Sequence, residues 1–337
     1  MPIHFIKLSK PKKSAVYSFY WHFAVKRHNI FIKRLTNPYG PWTDDSALRD
    51  NRFTNIFRAS DRVSQYLIDL QYNEEDVAQI FFKTILFKIF NKIETYRYLE
   101  RELGDVHFSS FSLPRYDDLL TLRMANRHTI YSAAYIMPSA GRVFGHKFKH
   151  TNHLALLAQM MKDRVCDTVV EAKSLEEVYK ILLSYPSFGS FLAFQYTIDL
   201  NYSSIINFSE MDFVVAGPGA KSGILKCFDQ LGDYTYEDII KLMVESQEEE
   251  CERLGLVLPT LWGRKLQLID CQNLFCEVDK YLRVIRPELN GSTGRTRIKQ
   301  KYTFSKGPIS LFFPPKWNIN HKLTPLCLTQ ANVDTFL

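Results

Sequence analysis

The stretch Phe213-Val214-Val215-Ala216-Gly217-Pro218-Gly219-Ala220-Lys221-Ser222-Gly223 assembles the residue types that hold an anion. A short apolar run enters a Gly-Pro-Gly turn, and a new helix begins at once. Glycines at 217 and 219 are expected to take positive φ and to let a flat surface approach. Amides opening the following helix point outward, where the helix dipole favours negative charge. Lys221 and Ser222 add a cation and a hydroxyl at the same place, so Gly217, Gly219, Lys221 and Ser222 read as a phosphate grip. Plain structural punctuation fits the same glycines. The spacing to Lys221-Ser222 is too short for a Walker A loop, and no βαβ pattern surrounds the turn. Lys221 has two readings, a phosphate contact or an amine nucleophile, and the second requires burial to strip its proton.

Three carboxylates are candidates for chemistry. Asp270 lies in Leu266-Gln267-Leu268-Ile269-Asp270-Cys271-Gln272-Asn273, where an apolar segment opens a helix whose dipole favours the ionised acid. A fixed carboxylate there suits stabilisation of positive charge at a sugar's anomeric carbon, or activation of water. An ordinary N-cap fits Asp270 as well, and an entire extra helix separates it from Lys221. Asp199, the second candidate, sits in Asp199-Leu200-Asn201-Tyr202-Ser203 at the end of an aromatic helix, where Asn201 and Tyr202 are placed to line a base pocket. Glu277, the third, shares a helical face with Lys280 and Tyr281 by i, i+3, i+4 spacing, which also allows a simple intrahelical ion pair. Arg52-Phe53-Thr54-Asn55-Ile56-Phe57-Arg58-Ala59-Ser60-Asp61-Arg62 interleaves arginines with phenylalanines. Asn55, Arg58, Arg62 and Lys280 are the DNA contacts this predicts, with Ser60 or Asp61 capping the next helix.

The elements that must position these groups are mostly helical. Apolar periodicity predicts helices over 14–35 (Ser14 as N-cap), 60–70, 74–92, 94–102, 151–163, 174–184 (Ser174 as N-cap with Glu177 in a capping box), 188–202, 235–254 and 271–285. The Asn37-Pro38-Tyr39-Gly40-Pro41 cluster ends the first. Residues 127–150, rich in Tyr, Ile, Gly and His, suit a small β hairpin, and 309–313 reads as a strand-like fragment in an irregular basic C-terminal segment. The expected organisation is a helical domain over 1–288, its glycine turn near 213–228, and a C-terminal extension over 289–337.

At 337 residues and 46% apolar content the chain can bury a large core. The formal charge of +7 is modest, but Lys7, Lys10, Lys12, Lys13, Lys26, Arg27, Lys33 and Arg34 crowd the N-terminus. Arg295, Arg297, Lys299, Lys301 and Lys306 gather near the other end, where Asp334 is the only acid after Glu288. Basic ends suit a polyanion such as double-stranded DNA, and a solvated basic surface suits them equally. The six cysteines show no zinc or iron–sulfur spacing. No signal peptide or membrane-length apolar run is evident, so the sequence reads as cytoplasmic, with reduced thiols, no metal, no cofactor and no obligate protein partner.

The glycine turn between helices resembles the helix-hairpin-helix of DNA glycosylases. More specifically, five ordered motifs resemble the helical domain of phage hydroxymethyluracil-DNA kinases and the alpha-glutamyl/putrescinyl-thymine pyrophosphorylases. They are Pro41-Trp42-Thr43-Asp44-Asp45, Phe53-Thr54-Asn55 with Arg58 and Asp61-Arg62, Asp199 to Ser203, Ala216-Gly217-Pro218-Gly219-Ala220, and Cys276-Glu277 with Asp279-Lys280-Tyr281. The resemblance implies a mainly α, helix-hairpin-helix DNA-glycosylase-like fold acting on modified bases in DNA. Some members modify thymine derivatives, whereas an antiviral branch looks like true glycosylases that excise glucosylated hydroxymethylcytosine from phage DNA. The leading expectation is therefore a DNA glycosylase that flips out a bulky modified pyrimidine and leaves an abasic site, in antiphage defence. The alternatives are a transferase acting on activated hydroxymethyluracil with the glycosidic bond intact, and a non-catalytic sensor of modified DNA.

Overall fold

A computed structural model describes residues 8–289, 297–298, 300–303 and 309–323. Fifteen α-helices and one two-stranded antiparallel sheet occur among these residues, as the mainly helical reading requires. The sheet is not a hairpin, since Lys12–Lys13 pairs with the distant Phe228–Gln230. Residues 127–150 form turns and one short helix, Gly141–Phe144, without a strand. Their backbone needs are met by side chains instead: Asn152 binds the His146 amide at 3.0 Å and its carbonyl at 2.9 Å. No helix of the described residues is long and apolar enough to cross a membrane. Of the basic C-terminal cluster, Arg295, Lys299 and Lys306 lie outside the described residues, as do Lys7, Cys327 and Asp334.

The chain divides into two compact units, each with its own core. The first takes its described residues from 1–61, 214–311 and 318–337. Its central helix is Leu268–Ile285, thirteen of whose eighteen residues are buried. Helix Ser18–Thr36 packs on it through Tyr20, whose ring lies 4.6 Å from that of Phe275, and through Phe23, 5.2 Å from Tyr281. Ser14 does not cap this helix; its hydroxyl donates to the Lys226 carbonyl at 2.6 Å, tying the sheet end to the next helix. The single helix expected over 235–254 is two, Tyr236–Glu245 and Gln247–Arg253, divided at Ser246. A Thr235–Asp238 capping box opens the first of them.

The glycine turn has a packing role that its sequence does not announce. Neither Gly217 nor Gly219 takes positive φ; Gly217, at φ −70°, is the N-cap of helix Pro218–Cys227. The preceding helix ends at Tyr202, so a segment of bends and irregular backbone rather than a helix leads into the turn. The glycine that the packing cannot replace is Gly223. A Cβ there would meet the Phe275 carbonyl oxygen at 2.1 Å, and one on Gly219 would meet the Cys276 sulfur at 2.9 Å. One turn apart, the two glycines let helix Pro218–Cys227 lie directly on the backbone of Leu268–Ile285.

The second unit comprises residues 62–213 and 312–317. Its core gathers helices Arg62–Tyr72, Val77–Phe90, Ile93–Leu103, Leu113–Ala125, Lys149–Lys162, Val165–Glu171, Leu175–Leu183 and Ser190–Tyr202. Helix Val77–Phe90 is buried along almost its whole length, which explains an apolar run with little amphipathic alternation. Ser174 caps its helix by accepting from the Glu177 amide at 3.2 Å, but the Glu177 carboxylate reaches back to the amide of Lys173. Ser190–Tyr202 ends against Lys316, whose ammonium donates to the carbonyls of Asn201, Ser203 and Ile206 at 2.6, 2.9 and 2.7 Å. A lysine brought from the far end of the chain thus satisfies a helix terminus.

Candidate functional site

The residues best placed for chemistry in the first unit surround the segment Phe53–Asp61. Its backbone carries no regular ladder, so side-chain carboxylates fix it. Asp270 accepts from the Arg58 amide at 2.8 Å and from the Gln267 amide at 3.0 Å, the latter closing a capping box on helix Leu268–Ile285. Glu277, two turns further along that helix, accepts from the Thr54 amide at 3.0 Å and pairs with Lys280 at 2.6 Å. Asp61 accepts from the Asn55 amide at 2.8 Å, while the Asn55 side chain donates to the Ser60 carbonyl at 2.9 Å. Three acids therefore hold one loop by its N–H groups, and Arg58 is presented from its middle, buried beside them.

Charge is concentrated around this loop. Arg27, on helix Ser18–Thr36, donates to the Phe53 carbonyl at 3.3 Å and lies in the electrostatic reach of Asp61, Glu277, Arg34 and Tyr302. Burial pushes the Asp61 carboxyl up to about 6, against the Asn55 amide and the Arg27 guanidinium, which favour its ionised form. An acid titrating near neutrality, between arginines and a second carboxylate, is suited to moving a proton. Tyr281, on the same helix as Glu277, donates to Asp45 at 2.6 Å, and Lys26 pairs with the same acid at 3.1 Å.

This arrangement makes a prediction about pH. A carboxyl raised from 3.8 to about 6 on folding binds its proton more tightly in the folded chain. Its stabilising contribution is full below its unfolded value and is lost as pH rises through about 6. His28 and His153, each held down to about 4 by burial, tilt the same window in the opposite sense. Denaturant titrations of wild type and Asp61→Asn separate the two effects. The stability of wild type relative to the variant should fall between about pH 4 and 6 and level off above. A difference that does not vary with pH would remove Asp61 as a titrating group.

The remaining sequence candidates fall in other places. Ser222 donates to Asp279 at 2.8 Å, and Asp279 also pairs with Lys226 at 3.0 Å and with Arg283. Burial alone would raise the Asp279 carboxyl; these partners outweigh it and hold it below the ordinary range. Lys221 is exposed, its ammonium 5.2 Å from the centre of the Tyr236 ring, so the burial needed by an amine nucleophile is missing. Asp199, Asn201, Tyr202 and Arg62 belong to the second unit. There Asp199 is fully buried and pairs with Lys88 at 3.1 Å. Asn201 spends its amide on the backbone of Phe208, at 2.9 and 3.0 Å, and Arg62 reaches Glu94 at 3.4 Å on the surface. Among the described residues no group of three acidic, histidine or cysteine side chains could hold a metal. Arg27, Asp45 and Asp279 are not singled out as site residues by the sequence, because the contacts of Arg27 with Phe53, of Asp45 with Tyr281 and of Asp279 with Lys226 join segments distant in the chain.

Comparison with known proteins supplies the family. Residues 14–291 match the family model described as 5-hmdU DNA kinase, helical domain. The 5-hmdU DNA kinase of Bacillus phage SP10 is 25% identical over 295 residues, covering 81% of this chain and 46% of the phage protein. The chain thus spans about half the length of that relative. No solved structure matches it. These matches overturn the glycosylase expectation, with its hydrolase chemistry, abasic product and antiphage role, because the relative and the family are named for a DNA kinase, a phosphotransferase. The glycine turn that prompted that expectation serves helix packing, as its close approach to Phe275 and Cys276 shows. By its match across most of its length, the chain belongs to the 5-hmdU DNA kinase, helical domain family.

Proposed function

We propose that this chain selects and holds 5-hydroxymethyl-deoxyuridine in DNA for phosphoryl transfer at the hydroxymethyl oxygen, leaving the glycosidic bond intact. The observation that carries the reading is the family match over residues 14–291, whose span includes the whole acid-fixed loop around Arg58. In this reading Asp270 and Glu277 position the loop and Asp61 accepts a hydrogen bond from the hydroxymethyl group. Asn55 and Lys280 contact the DNA, and the buried Arg58 and Tyr281 shape the base site behind them. Gly217, Gly219, Lys221 and Ser222 lie at the start of a helix, where backbone amides and the Lys221 ammonium meet a phosphate. Asp199, Asn201, Tyr202 and Arg62 support the second unit.

The test is a binding comparison. Duplexes carrying either 5-hydroxymethyluracil or thymine at one position are titrated with the protein at fixed salt, because phosphate contacts make affinity salt-dependent. Tighter binding of the hydroxymethyl duplex is expected, with no free base released on prolonged incubation. Equal affinity for the two duplexes, or release of free base, would overturn the proposal. Arg58→Ala should abolish the preference.

A further inference from the structure

The loop that ends helix Ser18–Thr36 does more than stop it. Tyr39 is 73% exposed, the most exposed of the large apolar side chains among the described residues. Its presentation is built. The Asn37 side chain accepts from the Tyr39 amide at 3.0 Å, and the Trp42 indole donates to the Asn37 carbonyl at 2.6 Å. Two prolines, Pro38 and Pro41, further restrict the backbone between these bonds. Trp42 is half-buried and carries the Arg34 guanidinium 5.4 Å from its ring centre, with the Tyr302 ring edge-on at 6.4 Å. The Tyr302 hydroxyl is buried with no hydrogen-bond partner among the described residues. Lys33 stands exposed one position before Arg34.

We propose that the Asn37–Trp42 loop, with Lys33, Arg34 and Tyr302, is a stacking platform for single-stranded DNA: bases lie on Tyr39 and Trp42, and a phosphodiester lies against the two cations. An apolar ring held in water by a rigid loop gains from covering both faces, and a nucleobase offers a flat face of matching size. Bases in a duplex are already stacked on one another, so the ring selects an unpaired strand. The neighbouring Lys33 and Arg34 supply the charge complementarity that an apolar partner would leave unused. This inference takes from the proposed function only that the ligand is DNA, and it turns on Tyr39, which is not among the residues assigned to the Arg58 loop.

The experiment uses the full chain and a fluorescein-labelled oligothymidylate, followed by anisotropy. Tyr39→Ala should weaken binding about tenfold, the loss expected for one stacked base. Its melting temperature should match wild type, because the side chain is exposed. Arg34→Gln should weaken binding and reduce the slope of log affinity against log salt by about one. Equal affinity of wild type and Tyr39→Ala, or no affinity of wild type for the oligonucleotide, overturns the platform. The two ideas fail separately. Loss of 5-hydroxymethyluracil preference with the Tyr39 effect intact would sink only the proposed function. The reverse outcome would sink only the platform.

Discussion

Gly223→Ala should cost about 3 kcal/mol or more of stability, at the upper end of what overpacking a core entails. The added methyl would sit 2.1 Å from the Phe275 carbonyl oxygen and 2.8 Å from its carbon. That oxygen is backbone in the middle of Leu268–Ile285, so it cannot swing aside as a side chain would. Helices Pro218–Cys227 and Leu268–Ile285 must separate, and the contact of Tyr20 with Phe275 loosens with them. Thermal unfolding followed by circular dichroism would show a fall of roughly 6–12 °C for a unit of this size. Gly219→Ala provides the contrast, because its obstacle is the Cys276 thiol at 2.9 Å. There, adding Cys276→Ala should recover part of the loss, whereas no side-chain change should rescue Gly223→Ala. A Gly223→Ala protein that melts with wild type would refute the close-packing account.

The second large effect concerns Lys88 and Asp199, buried at 3% and 0% exposure and 3.1 Å apart. Lys88 also donates to Asn91 at 2.8 Å and lies 5.0 Å from the Tyr135 ring centre. Removing one charge strands the other away from water, which costs about 3–5 kcal/mol. Asp199→Leu and Lys88→Met should therefore each destabilise the second unit severely. The double variant, which removes both charges and keeps the volume apolar, should be more stable than either single one. Urea titrations of the four proteins form a double-mutant cycle whose interaction energy isolates the pair. Additive losses would mean that the two side chains do not compensate each other. Because Asp199 holds up its fold in this way, any loss of activity in Asp199 variants has to be compared with the folded fraction.

Much of the helical content was legible in the sequence, and the reasons are local. Ser174 three residues before Glu177 and the apolar run of Val77–Phe90 announce themselves by spacing alone. Other features depend on partners far away in the chain. The Lys12–Lys13 strand exists only because Phe228–Gln230 passes beside it, and the hairpin expected over 127–150 gave way to side-chain bonds such as those of Asn152. Helix Leu113–Ala125 opens with a proline and carries a mixed surface, so its period was masked. In the candidate site, Asp270 and Glu277 were visible as acids on an apolar helix. Their use, clamping the amides of Arg58 and Thr54 more than two hundred residues earlier, was not. Gly223 stands close behind the turn in sequence, yet its necessity lies in a carbonyl of another helix.

The division of the chain has a consequence for biosynthesis. The second unit is almost wholly continuous, residues 62–213, and is interposed in a first unit whose halves lie on either side of it in sequence. As the polypeptide leaves the ribosome, the interposed piece has its core helices in hand early, while the opening sixty or so residues wait for Leu268–Ile285 to be translated. During that interval Tyr20 and Phe23 lack the Phe275 and Tyr281 rings that cover them in the folded chain. The Lys316 ammonium comes from more than a hundred residues downstream of the Asn201–Ile206 carbonyls, so these are sealed only well after the interposed piece has been translated.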